Sequence, residues 1–239
     1  MSADVVRRVI VGVPARNEER RIERCIRSIL AATDHLPETI TTTVTVASDD
    51  STDGTDHMLH HMAVEFPTLH VVCGRWHSAG AARRSAIEHA LNDTTSGYCG
   101  LTETWIATTD ADTSVPTDWL AKQIRRAELG CDALAGIVDI AGDPESTPHM
   151  VKVFRSFYSL GARTHSHVHG ANMGIRANAY VAVGGFPPVA LSEDHTLWNE
   201  LGRRNYRRLS PIDLRVHTSS RADPRAVGGF GDTLAGAMA

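Results

Sequence analysis

The sequence predicts an α/β fold: a mainly parallel sheet with helices on both faces, followed by a small α+β annex. Three observations predict it. Short β-branched runs alternate with helical patterns through the first part of the chain, which is the signature of βαβ units. Acids, arginines and amides gather where these runs end, and ligands of open α/β sheets bind there. After Asp143-Pro144 the alternation breaks down and a different pattern begins.

Residues 9–13 form the first expected strand, and 18–32 the first helix, with Ile22, Ile26, Ile29 and Leu30 at helical spacing. Strand and helix repeat at 41–47 and 55–66, then at 69–73 and 79–91. A fourth strand, 105–109, ends on an acidic triplet. The helix expected at 116–128 has Pro116 in its first turn, and an apolar strand at 133–140 follows it. The annex begins with a helix over about 148–162. An alternating segment at 165–176 and a Gly/Pro break at 184–188 come next, then a helical run from Glu193 and a short apolar strand, 214–216. The last stretch, 221–239, is rich in Gly, Ala and Arg and reads as a mobile tail or a lid.

With 239 residues, 42% apolar and 22% charged, the chain is long enough for a sizeable core, and no linker divides it, so one domain over 1–239 is expected. A net charge of −4 excludes the positive field that nucleic-acid binding needs and leaves local basic clusters for smaller anions. Cys25, Cys73, Cys99 and Cys131 show no CxxC or zinc-type spacing and read as reduced thiols, so the expected location is the cytoplasm. No apolar run reaches the length of a signal core or a membrane span.

Asp110-Ala111-Asp112 carries the most chemistry. Two carboxylates one residue apart at a strand end can face a divalent cation, and Mg²⁺ or Mn²⁺ would bridge them to a diphosphate. A turn and helix cap would use the same residues. In Ser48-Asp49-Asp50-Ser51-Thr52-Asp53-Gly54-Thr55, capping by Thr52 and Asp53 leaves Asp49 and Asp50 unexplained, and a carboxylate here can accept a nucleobase proton. Gly80-Ala81-Ala82-Arg83-Arg84 opens a helix with small residues and two guanidiniums suited to phosphate, or to a solvated face. Glu193 and Asp194 sit on a loop entering a helix, where a carboxylate can deprotonate a hydroxyl or complement the helix dipole. His165, His167 and His169 alternate, which on a strand puts them on one face as acceptor contacts or a surface strip rather than a zinc site. His57, His60 and His61 share a solvated helix face. His217 ends a strand that could offer an imidazole to the cation of Asp112.

Together these motifs resemble the family-2 glycosyltransferases of the GT-A fold, whose sheet is Rossmann-like, over roughly residues 9–217. The run 11–19, VGVPARNEE, is similar to the family's first strand and nucleotide-binding loop. The run 48–55 is similar to its second acidic motif, and Asp110-Ala111-Asp112 to its metal motif. The stretches 170–176 and Gly184-Gly185-Phe186 resemble the acceptor-side segment before Glu193-Asp194. The resemblance implies a nucleotide-sugar half at about 5–115, an acceptor-side half at about 116–220 and a tail or lid at 221–239. It implies that Pro14, Ala15, Arg16 and Glu18 line the nucleoside pocket, that Asp49 meets the base, and that Arg83, Asp110 and Ala111 border the donor. Asp112 would hold Mn²⁺ or Mg²⁺, with His217 as a second ligand. Asp194, beside Glu193, would be the base of an inverting transfer from a nucleotide-diphosphate sugar, a UDP- or GDP-sugar foremost, to a hydroxyl acceptor. The chain departs from the pattern at Asp50, where a glycine is usual, and at Ser48, where an acid is more usual. A sugar-1-phosphate nucleotidyltransferase would carry a glycine-rich loop after the first strand, which is missing here. A non-catalytic nucleotide-sugar-binding protein would have lost the metal pair or the base, and both are present.

Overall fold

The computed structural model describes residues 5–93, 99–156, 160–189 and 192–221. Its frame is a seven-stranded sheet in the order β3-β2-β1-β4-β7-β5-β8. The strands are β1 (Arg8–Ala15), β2 (Thr41–Asp49), β3 (Leu69–Gly74), β4 (Thr104–Thr108), β5 (Ala133–Ala135), β7 (Met173–Arg176) and β8 (Arg208–Leu209). Every residue of β1 is buried, because parallel neighbours flank it and helices cover both faces. Helices α1 (Ile22–Thr33), α2 (Thr55–Glu65) and α3 (Ala79–Asn92) connect the first strands. At Gly12 of β1 an added Cβ would collide with Ile87, so α3 lies tight against the centre of the sheet.

The predicted α/β architecture holds, with four local corrections. The first helix begins at Ile22 rather than residue 18, because the amide of Glu18 donates to Thr55 Oγ1 at 2.8 Å and Asn17 turns through a left-handed φ of 54°. The fourth helix, α4 (Trp119–Glu128), starts past Pro116, whose carbonyl instead accepts from the Trp119 amide. The apolar run 133–140 is two strands: β5 stays in the large sheet, while β6 (Ile137–Asp139) pairs with β9 (Arg215–His217) in a second, two-stranded sheet. Gly136 is the break, since an added Cβ there would collide with the Asn172 amide. That amide donates to the carbonyls of Ile137 at 2.9 Å and Leu214 at 3.0 Å, while its oxygen accepts from Trp119 Nε1 at 2.9 Å. Asn172 is fully buried and staples the two sheets together.

The annex has a shorter first helix than the expected 148–162, because Leu160 already bridges His165. It contributes α5 (Pro148–Ser156), α6 (Ala177–Ala182) and α7 (Glu193–Arg203), but β7 and β5 continue the large sheet. Strand β7 runs antiparallel between β4 and β5, pairing Met173 with Thr108. Its starting end therefore meets the finishing end of β4. Among the described residues no helix is long and apolar enough to cross a membrane. The expected tail falls largely at 222–239, outside the described residues.

Asp139, at the end of β6, is almost fully buried and accepts from Arg155 at 2.6 Å and Arg215 at 2.7 Å. Burial pushes its carboxyl up, but the Arg155 hydrogen bonds, the Ala141 amide and both guanidiniums outweigh that and hold it below the ordinary 3.8. A depressed folded value stabilises the fold above the unfolded value and loses that contribution as pH falls through the folded one. Asp139→Asn should therefore flatten the fall of the thermal midpoint between neutral pH and about pH 3, measured by circular dichroism.

Candidate active site

The ends of β1 and β2 are knitted into one loop pair. Pro14 and Ala15 close the β1 register opposite Ala47 and Ser48, and Arg16 follows them, exposed. Asn17 Oδ1 accepts from the Thr52 amide at 2.7 Å, and the Asn17 amide donates to Ser51 Oγ at 3.1 Å. Asp53 takes the amides of Glu19 at 3.2 Å and Thr55 at 3.0 Å. Glu18 is thereby carried inward, to 6% exposure, beneath the loop. Ser48 sits where an acid is more usual and hydrogen-bonds the Asp56 carboxylate. Asp49, the expected nucleobase contact, is buried and accepts from the amides of Trp76 at 2.6 Å, His77 at 2.9 Å and Ser78 at 3.2 Å. It shapes the loop leading into α3, a role that capping arguments could not supply. Asp50, in a left-handed turn, pairs with Arg75 at 3.1 Å.

Arg83 is buried where the end of β4 meets the start of α7. Its side chain is 2% exposed, with Nη2 on Asp110 and Nη1 on Glu193, both at 2.7 Å. The guanidinium lies over the Phe186 ring at 5.1 Å and also packs against Gly170, where an added Cβ would collide with it. One cation thus ties the end of β4 to the start of α7. Burial opposes the charge on Arg83, yet the two carboxylates outweigh it and raise its pKa, so it stays charged.

Asp194, the next residue along, is fixed by two amides: Gly170 donates to Oδ2 at 2.9 Å and His195 to Oδ1 at 2.7 Å. Gly170 is held in turn by Thr108, whose hydroxyl donates to its carbonyl at 2.7 Å. The carboxyl of Asp110 is pushed up by burial and by the nearby charges of Asp112 and Asp194, with Arg83 opposing. Burial also pushes His169 down to about 4 against the pull of Asp194, so at neutral pH a neutral imidazole neighbours that carboxylate. The structure brings Asp110, Glu193 and Asp194 together around Arg83 and Gly170. Ala111, between the two acids of the triplet, is buried in the core.

Asp112 faces the other way, toward Glu18. Arg221 spans the two, with Nη1 on Glu18 at 2.7 Å and Nη2 on Asp112 at 2.9 Å, while Thr218 Oγ1 donates to Asp112 at 3.2 Å. His217 is not brought to this carboxylate. It is adjacent to Thr218 on an extended segment, so its ring takes the opposite side and lies against Gly142, with Asp139, Arg215 and Arg24 as charged neighbours. Among the described residues no group of three His, Cys, Asp or Glu side chains converges on one metal position. His165, His167 and His169 are not on a strand, yet their rings stack at 6.0 and 6.1 Å, presenting faces rather than nitrogens to one another.

Several residues here escaped sequence reasoning. Arg221 and Thr218 carry no motif, and Asn172 was part of one without a role of its own. A cavity of about 230 Å³ beside Asp112 is lined by Arg20, Arg21 and Arg24, matched by Asp112, Asp143 and Glu145, so it holds no net charge. The closely spaced arginines were the signal that could have pointed to it.

A family model described as "Glycosyl transferase family 2" matches residues 10–183. No curated protein sequence matches the chain. Among solved structures, S. aureus TarS in complex with UDP superposes with a TM-score of 0.65 at 16% identity, covering 90% of this chain and 61% of that one. Mannosyltransferase PcManGT from Pyrobaculum calidifontis, in complex with GDP-Man and Mn²⁺, gives 0.64 at 19% identity, covering 97% and 68%. GalNAc-T7 with UDP, GalNAc and Mn²⁺ gives 0.66 at 13%, covering 91% and 44%. The chain thus spans about three-fifths of the TarS fragment, and identities this low carry the fold alone. The family match covers most of the chain and includes the β1 loop, the β2 loop, Arg83 and the acidic triplet: the chain belongs to glycosyl transferase family 2.

Proposed function

We propose that the protein is an inverting glycosyltransferase that moves a sugar from a nucleotide-diphosphate donor, a UDP- or GDP-sugar, to a hydroxyl acceptor with help from Mn²⁺ or Mg²⁺. One observation carries this reading. Arg83 joins Asp110, at the end of a donor-side strand, to Glu193, the neighbour of Asp194, so a donor and an acceptor would meet at one point. The structural neighbours that bind UDP, GDP-Man and Mn²⁺ support the same reading.

The knitted loops of Pro14, Ala15, Arg16 and Glu18 frame the nucleoside, with Asp49 shaping its far wall. Asp194 takes the proton from the acceptor hydroxyl. Each of its oxygens holds an amide and keeps a further lone pair to accept with. The acceptor oxygen attacks the anomeric carbon from the face opposite the diphosphate, and the C–O bond to phosphate breaks with its electron pair leaving on the nucleoside diphosphate. The proton stays on Asp194, and the anomeric configuration inverts. Glu193 and Arg83 position Asp194 without touching the substrate. A divalent cation fits beside Asp112: the donors are carboxylate oxygens, and the place between Asp112 and Glu18 already takes a guanidinium. When bound, the metal offsets the charge of the departing diphosphate. Asp112 would be its principal ligand.

A thermal-shift panel of nucleoside diphosphates and their sugars, with and without Mn²⁺, tests the donor and metal assignments together. One nucleotide should raise the midpoint, more so with Mn²⁺, and Asp112→Ala should abolish the Mn²⁺ increment. An increment that survives Asp112→Ala overturns the metal assignment.

A further inference from the structure

The chain carries a cation of its own where the metal would bind. Arg221 is 17% exposed at its side chain and bridges Glu18 and Asp112. It is delivered by a strap pinned along its length. The backbone of His217 pairs with Ser114, donating at 2.9 Å and accepting at 2.7 Å, and Thr218 bonds Asp112. Ser220 donates through both its amide and its hydroxyl to Asp143 Oδ2, each at 2.6 Å. Asp143 is itself 9% exposed, so this anchor is shielded from water. The strap places one guanidinium among carboxylates that otherwise repel one another. Burial raises the Cys25 thiol well above its ordinary value, and the charges of Asp112, Asp110 and Glu18 push it further.

We propose that the strap at 218–221 is an autoinhibitory latch in which Arg221 competes with the divalent metal for Asp112 and Glu18. The proposal rests on the metal reading above. A guanidinium and a divalent ion cannot share the same carboxylate oxygens, because bringing two cations to that distance in a buried place is strongly unfavourable. Metal uptake and strap release are then one equilibrium, and each ligand shifts it by its differential affinity for the two states. The donor site stays latched until metal arrives, and the acids are never left without a counter-charge.

Mn²⁺ titrations of the full chain by calorimetry, with metal alone, test this in the wild type and in Arg221→Gln, Asp143→Ala and Asp112→Ala. Arg221→Gln should bind Mn²⁺ about tenfold more tightly than the wild type. Asp143→Ala should shift affinity in the same direction, because it frees Ser220 while leaving Asp112 and Glu18 in place. Limited trypsin digestion of the wild type should cut after Arg221 faster when Mn²⁺ is added, since release frees the Arg221 side chain from Glu18 and Asp112. Equal affinity in the wild type and Arg221→Gln, with none in Asp112→Ala, overturns the latch and leaves the metal reading intact. No binding in either the wild type or Arg221→Gln overturns both. A cleavage rate unmoved by saturating Mn²⁺ overturns the latch.

Discussion

Asp194→Asn should leave nucleotide affinity unchanged and slow sugar transfer by about 10²–10⁴, the contribution that a positioned base makes. The substitution keeps the side chain's shape, so the amide oxygen can still accept from Gly170, while the charge-assisted bond from the His195 amide is lost, about 1.5–3 kcal/mol. It removes the basic lone pairs alone. The ends of β1, β2 and β4 keep their own contacts, because Asp194 hydrogen-bonds the amides of Gly170 and His195 rather than any side chain at those strand ends. Radiolabel transfer and calorimetry on the same preparation separate the two effects. Turnover equal to the wild type would remove Asp194 from the role of base.

Arg83→Leu should lower unfolding free energy by about 3–5 kcal/mol, the usual cost of breaking a buried ion pair from one side. Both arms of Arg83 end on carboxylates, and Glu193 in particular is largely buried, so the loss leaves Glu193 and Asp110 facing each other without a counter-charge. For a chain of this size that corresponds to a fall in thermal midpoint on the order of 10 °C. Denaturant unfolding checks the magnitude. The double variant Arg83→Leu with Glu193→Gln should recover part of the loss, since one stranded charge is gone. If the double variant is no more stable than the single one, the loss comes from packing against Phe186 and Gly170 rather than from charge.

Much of the frame was legible because it depends on local pattern. The apolar runs of β1 and β2 and the spacing of Ile22, Ile26 and Ile29 are read within one element, and parallel strands buried on both faces cannot hide them. The features that misled depend on distant partners. Residues 133–140 look like one strand, and only the Asn172 side chain, arriving from the start of β7, divides it. Glu18 looks like the first residue of a helix until Thr55 claims its amide. The site followed the same rule. Residue types singled out Asp110, Arg83, Glu193 and Asp194 one by one, but not that Arg83 would hold two of the carboxylates from within the core. The choice between His217 and Thr218 as the neighbour of Asp112 turns on a single step of strand register, which the sequence leaves open.

The reversed direction of β7 has a consequence for how such a protein diversifies. Parallel strands bring their side chains to the site as they finish, and each is tied through its crossover helix to the next. β7 arrives at the same place as it begins, and the chain just before it meets the site at Gly170, which is held by Thr108 and Asp194. That stretch can therefore vary while the finishing ends of β1, β2 and β4 stay as they are. Under the proposed function, a change of acceptor need not disturb the donor.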